Sequence, residues 1–198
     1  MADLREMGLY AALRARPGLP PLSPEHPWHP GLDLDIVALS ESELAQEYPD
    51  GKQSAPAWKA TLHLWNDSLN HAHDLVQYLD TLTGSVLHGI VHRRKGDFNN
   101  ARYWLRHAGD HPAYHSLQSR SQVWLQQERI PLTAIGKGIE AIRGQGSWNP
   151  SLFINIVEMQ ETQLGQLETS TLLEQLQQLE LEAMLRYLGG RLSINVVD

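Results

Sequence analysis

From Ala57 onward the apolar residues recur at helical spacing. Trp58, Leu62, Trp65, Leu69, Ala72, Val76 and Leu79 follow at alternating intervals of four and three. That pattern lays one apolar stripe along a helix of about six turns. Thr81 to Gly84 interrupts it, and a second helix is predicted up to Lys95, with Val86, Leu87, Ile90 and Val91 as its apolar arc and Gly96 as its stop. Asp97 stands where a carboxylate accepts the free N–H groups of a third helix. Phe98, Ala101, Trp104, Leu105 and Ala108 form the apolar side of that helix, and Gly109 and Pro112 end it. A fourth helix is predicted over Ala113 to Arg129. The glycines between Ile130 and Trp148 predict loop, with a short helix at most around Ile139 to Arg143. Asn149 and Pro150 are a cap and first-turn pair for a helix to about Gln163. Thr171 with Glu174 fits a capping box for a long helix to Leu188, stopped by Gly189 and Gly190. The tail from Leu192, LSINVV, is β-prone and reads as a lone strand or an extended docked tail. No long strand-like alternation occurs elsewhere. The fold class is mainly α: a single-domain bundle of about six or seven helices over residues 1–198.

The N-terminal part reads differently. Residues 1–15 have the look of a short amphipathic helix rather than a signal peptide. Six of the 11 prolines fall between Pro17 and Pro30, a density that permits neither helix nor inner strand. Residues 17–31 are therefore expected to form an extended arm on the surface, anchored by Trp28 and Leu32. ESELAQEY after Ser40 predicts a short helix. The His-rich helical region spans 57–129, and the C-terminal helices and tail span 149–198.

Composition narrows the function classes. The 198 residues carry a net charge of −7, which argues against general nucleic-acid binding. There is no cysteine, which excludes disulfides, thiolate metal sites and thiol nucleophiles. No apolar run is long enough to span a membrane, and the expected location is cytoplasmic.

The segment HGIVHRRKGDFNNARYWLRHAGDHP, His88 to Pro112, resembles one tetratricopeptide-type helical hairpin, covering about residues 83–112. Gly89, Gly96, Phe98, Ala101 and Ala108 sit at the matching spacings. The resemblance implies two closely packed helices joined by a glycine turn. No second copy follows at a 34-residue offset, whereas such arrays need at least three. His88 and His92 stand where that family carries an apolar and an aromatic residue. Together with the preceding GSVLHG, the segment also resembles a family of helical bacterial and fungal proteins. That likeness implies a shared fold and no mechanism.

Eight of the ten histidines lie between His63 and His115. His88 and His92, spaced i, i+4, put two imidazoles on one helix face, as a metal site or proton relay requires. They are the candidate catalytic pair, with a histidine acting as base near neutral pH. Ser85 shares the face, which lies away from the apolar arc, toward solvent or a second packing layer. His73 is placed to lean toward them, while His71 lies farther round, toward solvent. A third ligand for a divalent metal is sought in Glu158, or in Glu161 or His73. Gly89 stands where a zinc protease would carry Glu, and no Glu-x-x-His motif of di-iron bundles exists. GKG at Gly136 to Gly138 lacks phosphate-loop spacing, and no Gly-x-Ser-x-Gly elbow occurs.

From His88 to His107 the chain holds five bases and one acid, and from Pro150 to Asp198 two bases and seven acids. These opposed charges predict either packing of the C-terminal helices on the hairpin or a basic pocket for a small anion. Arg93, Arg94, Asn100, Tyr103 and Trp104, with His73 and Ser85, are the candidate ligand-binding residues. At least one of Arg93, Arg94, Lys95, Arg102 and Arg106 is expected to stay unpaired. Two functional readings result. One is a protein binding a small ligand in a His-, aromatic- and Arg-lined site, with catalysis or metal assistance open. The other is a non-catalytic interaction module holding a peptide or partner helix on the hairpin. The Leu-rich helix from Leu172 to Leu188 reads first as core and second as a homodimer face.

Overall fold

The computed structural model describes residues 3–45, 51–165, 167–192, 194 and 196. Its helices are α1 (Asp3–Arg14), α2 (Pro30–Val37), α3 (Glu41–Ala45), α4 (Gly51–Trp65), α5 (Leu69–Val76), α6 (Leu82–Arg94), α7 (Phe98–Ala108), α8 (Ala113–Leu125), α9 (Ala134–Arg143) and α10 (Pro150–Met159), then a π-helical turn over Gln160–Leu164 and α11 (Leu167–Leu192). The described residues thus form a mainly α bundle with more helices than the six or seven expected. One apolar cluster runs from Leu9 to Ile194. Its centre is α11 packed against α4 and α8. Twelve of the 15 residues of α4 are buried, so that helix is covered on all sides rather than along one stripe. No described helix is long and apolar enough to cross a membrane.

Several boundaries differ from expectation for local reasons. The stripe from Trp58 to Leu79 is not one helix. It breaks at Asp67, which takes a left-handed φ of 62°, a conformation aspartate tolerates better than most side chains. The stripe survives because both halves bury the same face. The first half begins at Gly51, six residues before Ala57, and takes Pro56 into its second turn. The glycine-rich stretch holds a full helix, α9, because Thr133 caps it by accepting from the Gly136 N–H at 3.0 Å. Its Gly138 lets the backbone approach Ile156, since a Cβ there would lie 2.7 Å from Ile156 Cγ1. Thr171 caps nothing: α11 starts at Leu167, and the Thr171 hydroxyl donates to that residue's carbonyl within the helix. Gly189 and Gly190 lie inside α11, which runs on to Leu192. The expected strand or docked tail falls mostly outside the described residues, but Ile194 is buried and donates its N–H to the Gly189 carbonyl.

The arm ends at His29, because Pro30 opens α2 and the His29 ring caps it through the Leu32 N–H. The arm is clasped rather than loosely laid on the surface. Gln177 donates to the carbonyls of Pro20 and Pro21, Arg94 to that of Pro21, and Asn66 to that of His29. Leu22 is buried, with Trp28 and Leu32 partly so.

The hairpin of α6 and α7 forms as its residues require. Asp97 accepts from the Asn100 N–H at 3.2 Å, and Gly96 ends the first helix at a φ of 76°. At Gly89 a Cβ would fall 2.4 Å from Leu105 Cγ. Gly89→Ala should therefore force the helices apart and cost about 1–3 kcal/mol in denaturant unfolding. A neutral result would mean that the helices do not touch there.

Candidate functional site: two histidine clusters flanking one helix

Helix α5 is short, and the two histidines at its centre point to different sides. Its partner α6 carries His88 and His92 on the face turned away from the core arc. These two imidazoles stack at 4.8 Å, and the Trp104 ring of α7 stacks on the other side of His88 at 4.1 Å. His73 comes across from α5, placing its Nε2 3.2 Å from His88 Nε2. One nitrogen from each of His73, His88 and His92 lies within 4.8 Å of the other two. The predicted face is thus a second packing layer, and His73 does lean into it.

The site keeps its imidazoles neutral. Burial pushes His88 down to about 4, and the neighbouring His92, His73 and Lys95 add to that. Burial also lowers His73 and His92, the latter opposed by Asp97. Asp97 lies 3.5 Å from His92 Nδ1, so the cap residue of α7 also orients a histidine of α6. The other nitrogen of that ring, Nε2, is left for a ligand. Asn100 hydrogen-bonds the Asp97 carboxylate and holds its pKa below the ordinary value.

The remaining predicted residues fall elsewhere. Arg93 is fully buried and bonds Glu180 and Gln177 of α11. Arg94 is buried and bonds Asp67 at 2.5 Å together with the Leu64 and Pro21 carbonyls. Arg93 lines no described cleft, and its Nη groups are held by internal acceptors. The Nη groups of Arg94 are held likewise, although Arg94 borders a cleft that it shares with Asp67 and His71. Glu158 is no third ligand: Arg102 holds it at the α7 and α10 contact. Glu161 is exposed in the π-helical turn. Asn100 belongs to the cap rather than to a pocket. Ser85 is half-buried on α6, with no hydrogen bond to the imidazoles found among the described residues. Tyr103 is 47% exposed and meets Trp104 and His107 edge-on or tilted. Lys95 and Arg106 are exposed, and no ion pair of either is found among the described residues. The opposed charges mostly express packing of the C-terminal helices on the hairpin.

A second cluster went unrecognised in the sequence. Asp33 of α2 reaches His63 of α4 at 2.8 Å and His71 of α5 at 3.0 Å, one carboxylate oxygen for each Nδ1. Burial lowers His63 to about 4, against the pull of Asp33. A usable signal existed in two places. His63 interrupts the apolar run of α4, and Asp33, with Asp35, interrupts the apolar residues of LDLDIV. His71 and Asp33 line a cleft of about 800 Å³ between the arm and the α4–α5 corner. No family model, curated protein or solved structure matches the chain.

Proposed function

We propose that the chain is a metal-dependent small-ligand protein, holding one divalent transition-metal ion on His73, His88 and His92. The observation that carries this reading is the convergence of three neutral imidazoles with a carboxylate behind one of them. Ligands must be neutral imidazoles, and a carboxylate on the far nitrogen fixes the ring. The 3.2 Å separation of His73 Nε2 and His88 Nε2 matches the nitrogen–nitrogen edge of about 3.3 Å around a tetrahedral ion with bonds of about 2.05 Å. Three protein ligands leave a fourth position for water or an oxygen donor of the ligand, the arrangement that makes a bound water acidic or a carbonyl electrophilic. Trp104 supplies a flat wall. The Lys95 charge, felt by all three imidazoles, favours an anionic ligand.

Titration of the metal-free chain with Co²⁺ tests the reading. We expect the strong visible absorption of a low-coordinate site, abolished by His88→Ala or His92→Ala. Asp97→Asn should weaken binding about tenfold while leaving stability unchanged, because Asn caps a helix as well as Asp. Co²⁺ spectra indifferent to the His88 and His92 variants would overturn the reading.

A further inference from the structure

We propose that Asp33, His63 and His71 form a second cation site, binding a divalent first-row metal through one carboxylate and two imidazoles, with its open positions toward the cleft beneath the Pro-rich arm. The argument is independent of the first site and begins with charge. Asp33 is 7% exposed. One of its oxygens meets His63 Nδ1 at 2.8 Å and the other meets His71 Nδ1 at 3.0 Å. Its neighbour Asp67 is neutralised twice, by Arg16 at 2.7 Å and Arg94 at 2.5 Å. Asp33 has no such partner: among the described residues its only ion-pairing contacts are His63 and His71. The nearby Lys59 spends its ammonium on the Val37 and Leu39 carbonyls and on Glu41. A buried carboxylate whose ion-pairing contacts among the described residues are two imidazoles has no fixed cation beside it.

The donor set says which cation fits. Two imidazoles and a carboxylate with free positions are the ligands of divalent iron, manganese or zinc rather than of magnesium or calcium. The separations of 2.8 and 3.0 Å match the edges of about 3.0 Å in a six-coordinate ion with bonds of about 2.1 Å. One carboxylate oxygen faces each imidazole, which suits bidentate binding. Ser68 Oγ, 3.2 Å from His71 Nδ1, offers a further oxygen. The half-exposed His71 gives the ion a route in from the cleft. Such a site places its open positions where a bound small molecule would sit.

Metal counting on the full chain decides the matter. Metal-free protein is loaded with Zn²⁺, desalted and analysed for bound metal, and the experiment is repeated with Co²⁺. Wild type should hold two ions. Asp33→Asn, which preserves shape, and His71→Ala, which alters an exposed residue, should each hold one, with the visible Co²⁺ spectrum of the other site unchanged. The His88→Ala/His92→Ala double variant should also hold one, seen through a weaker spectrum of higher coordination. Equal metal content in wild type, Asp33→Asn and His71→Ala would overturn the proposal, whatever becomes of the first site. Loss of all metal in the His88/His92 variant, with none lost in Asp33→Asn, would overturn it too. Retention of one ion in that variant and none in the Asp33→Asn variant would leave this site standing and remove the other.

Discussion

Arg93→Met is expected to destabilise the fold by about 3–5 kcal/mol, a large share of what a domain has to lose. The guanidinium is 0% and the Glu180 carboxylate 1% exposed at the side chain. Two Nη groups meet two Oε atoms in a fork, and Phe153 covers the guanidinium from 4.6 Å. Removing the arginine leaves a carboxylate in the centre of the bundle without solvent or partner. For a chain of this length each kcal/mol moves the melting temperature by about 2–4 °C, so a fall of about 6–20 °C should follow. Arg93→Met/Glu180→Leu should regain most of it, because the apolar pair has no charge to desolvate. A single variant within 1 kcal/mol of wild type, measured by denaturant unfolding, would mean that this pair does not hold α6 to α11.

Acid should unfold the metal-free chain well above the usual carboxylate range. His63 and His111 are each 1% exposed, and burial lowers both to about 4. The Arg191 charge adds to burial at His111, against the pull of Asp110, and the local hydrogen bonds suit the neutral ring. His111 Nδ1 accepts from the Ala113 N–H at 3.2 Å, so the proton sits on Nε2, 3.0 Å from the Thr83 hydroxyl. A second proton would set two donors face to face. The unfolded chain takes up these protons below pH 6.5 and the folded chain does not until about pH 4. Stability therefore falls as pH drops through that window and levels off below it, by at most about 1.4 kcal/mol per pH unit for each ring. His111→Asn keeps an acceptor near the Nδ1 position and removes the titration. Its stability curve between pH 6.5 and 4 should be shallower by that amount. A curve as steep as wild type would remove His111 from the account.

What could be read from the sequence is what a few neighbouring residues decide. The caps at Asp97 and Asn149 and the turn at Gly96 rest on contacts within four residues, and they lie where the spacing puts them. His73 joined His88 and His92 because the α5–α6 hairpin is short. Arg93 was misread because its partner is 87 residues away, and a run of bases looks the same whether it faces water or a buried acid. Glu158 failed as a ligand for the same reason, with Arg102 lying 56 residues before it. Asp33 is separated from His63 and His71 by 30 and 38 residues, a distance at which an acid among apolar residues signals a buried partner without saying which one. The break at Asp67 preserves the apolar stripe, so periodicity alone cannot reveal it.

The clasp on the arm also bears on the order in which the molecule assembles. Gln177 and the Pro20 carbonyl are 157 residues apart, so their bond closes nearly the whole chain into a loop. The entropy of such a closure is recovered only after α11, α6 and α4 have already met. The Gln177 half of the clasp is thus the last to close, whereas the Asn66 half spans only 37 residues. Until that half closes, the Gln177 amide lacks the Pro20 and Pro21 carbonyls that it holds in the folded chain. A nascent chain has made the arm and its Asn66 and Arg94 partners first, but the clasp is complete only once residue 177 has been synthesised.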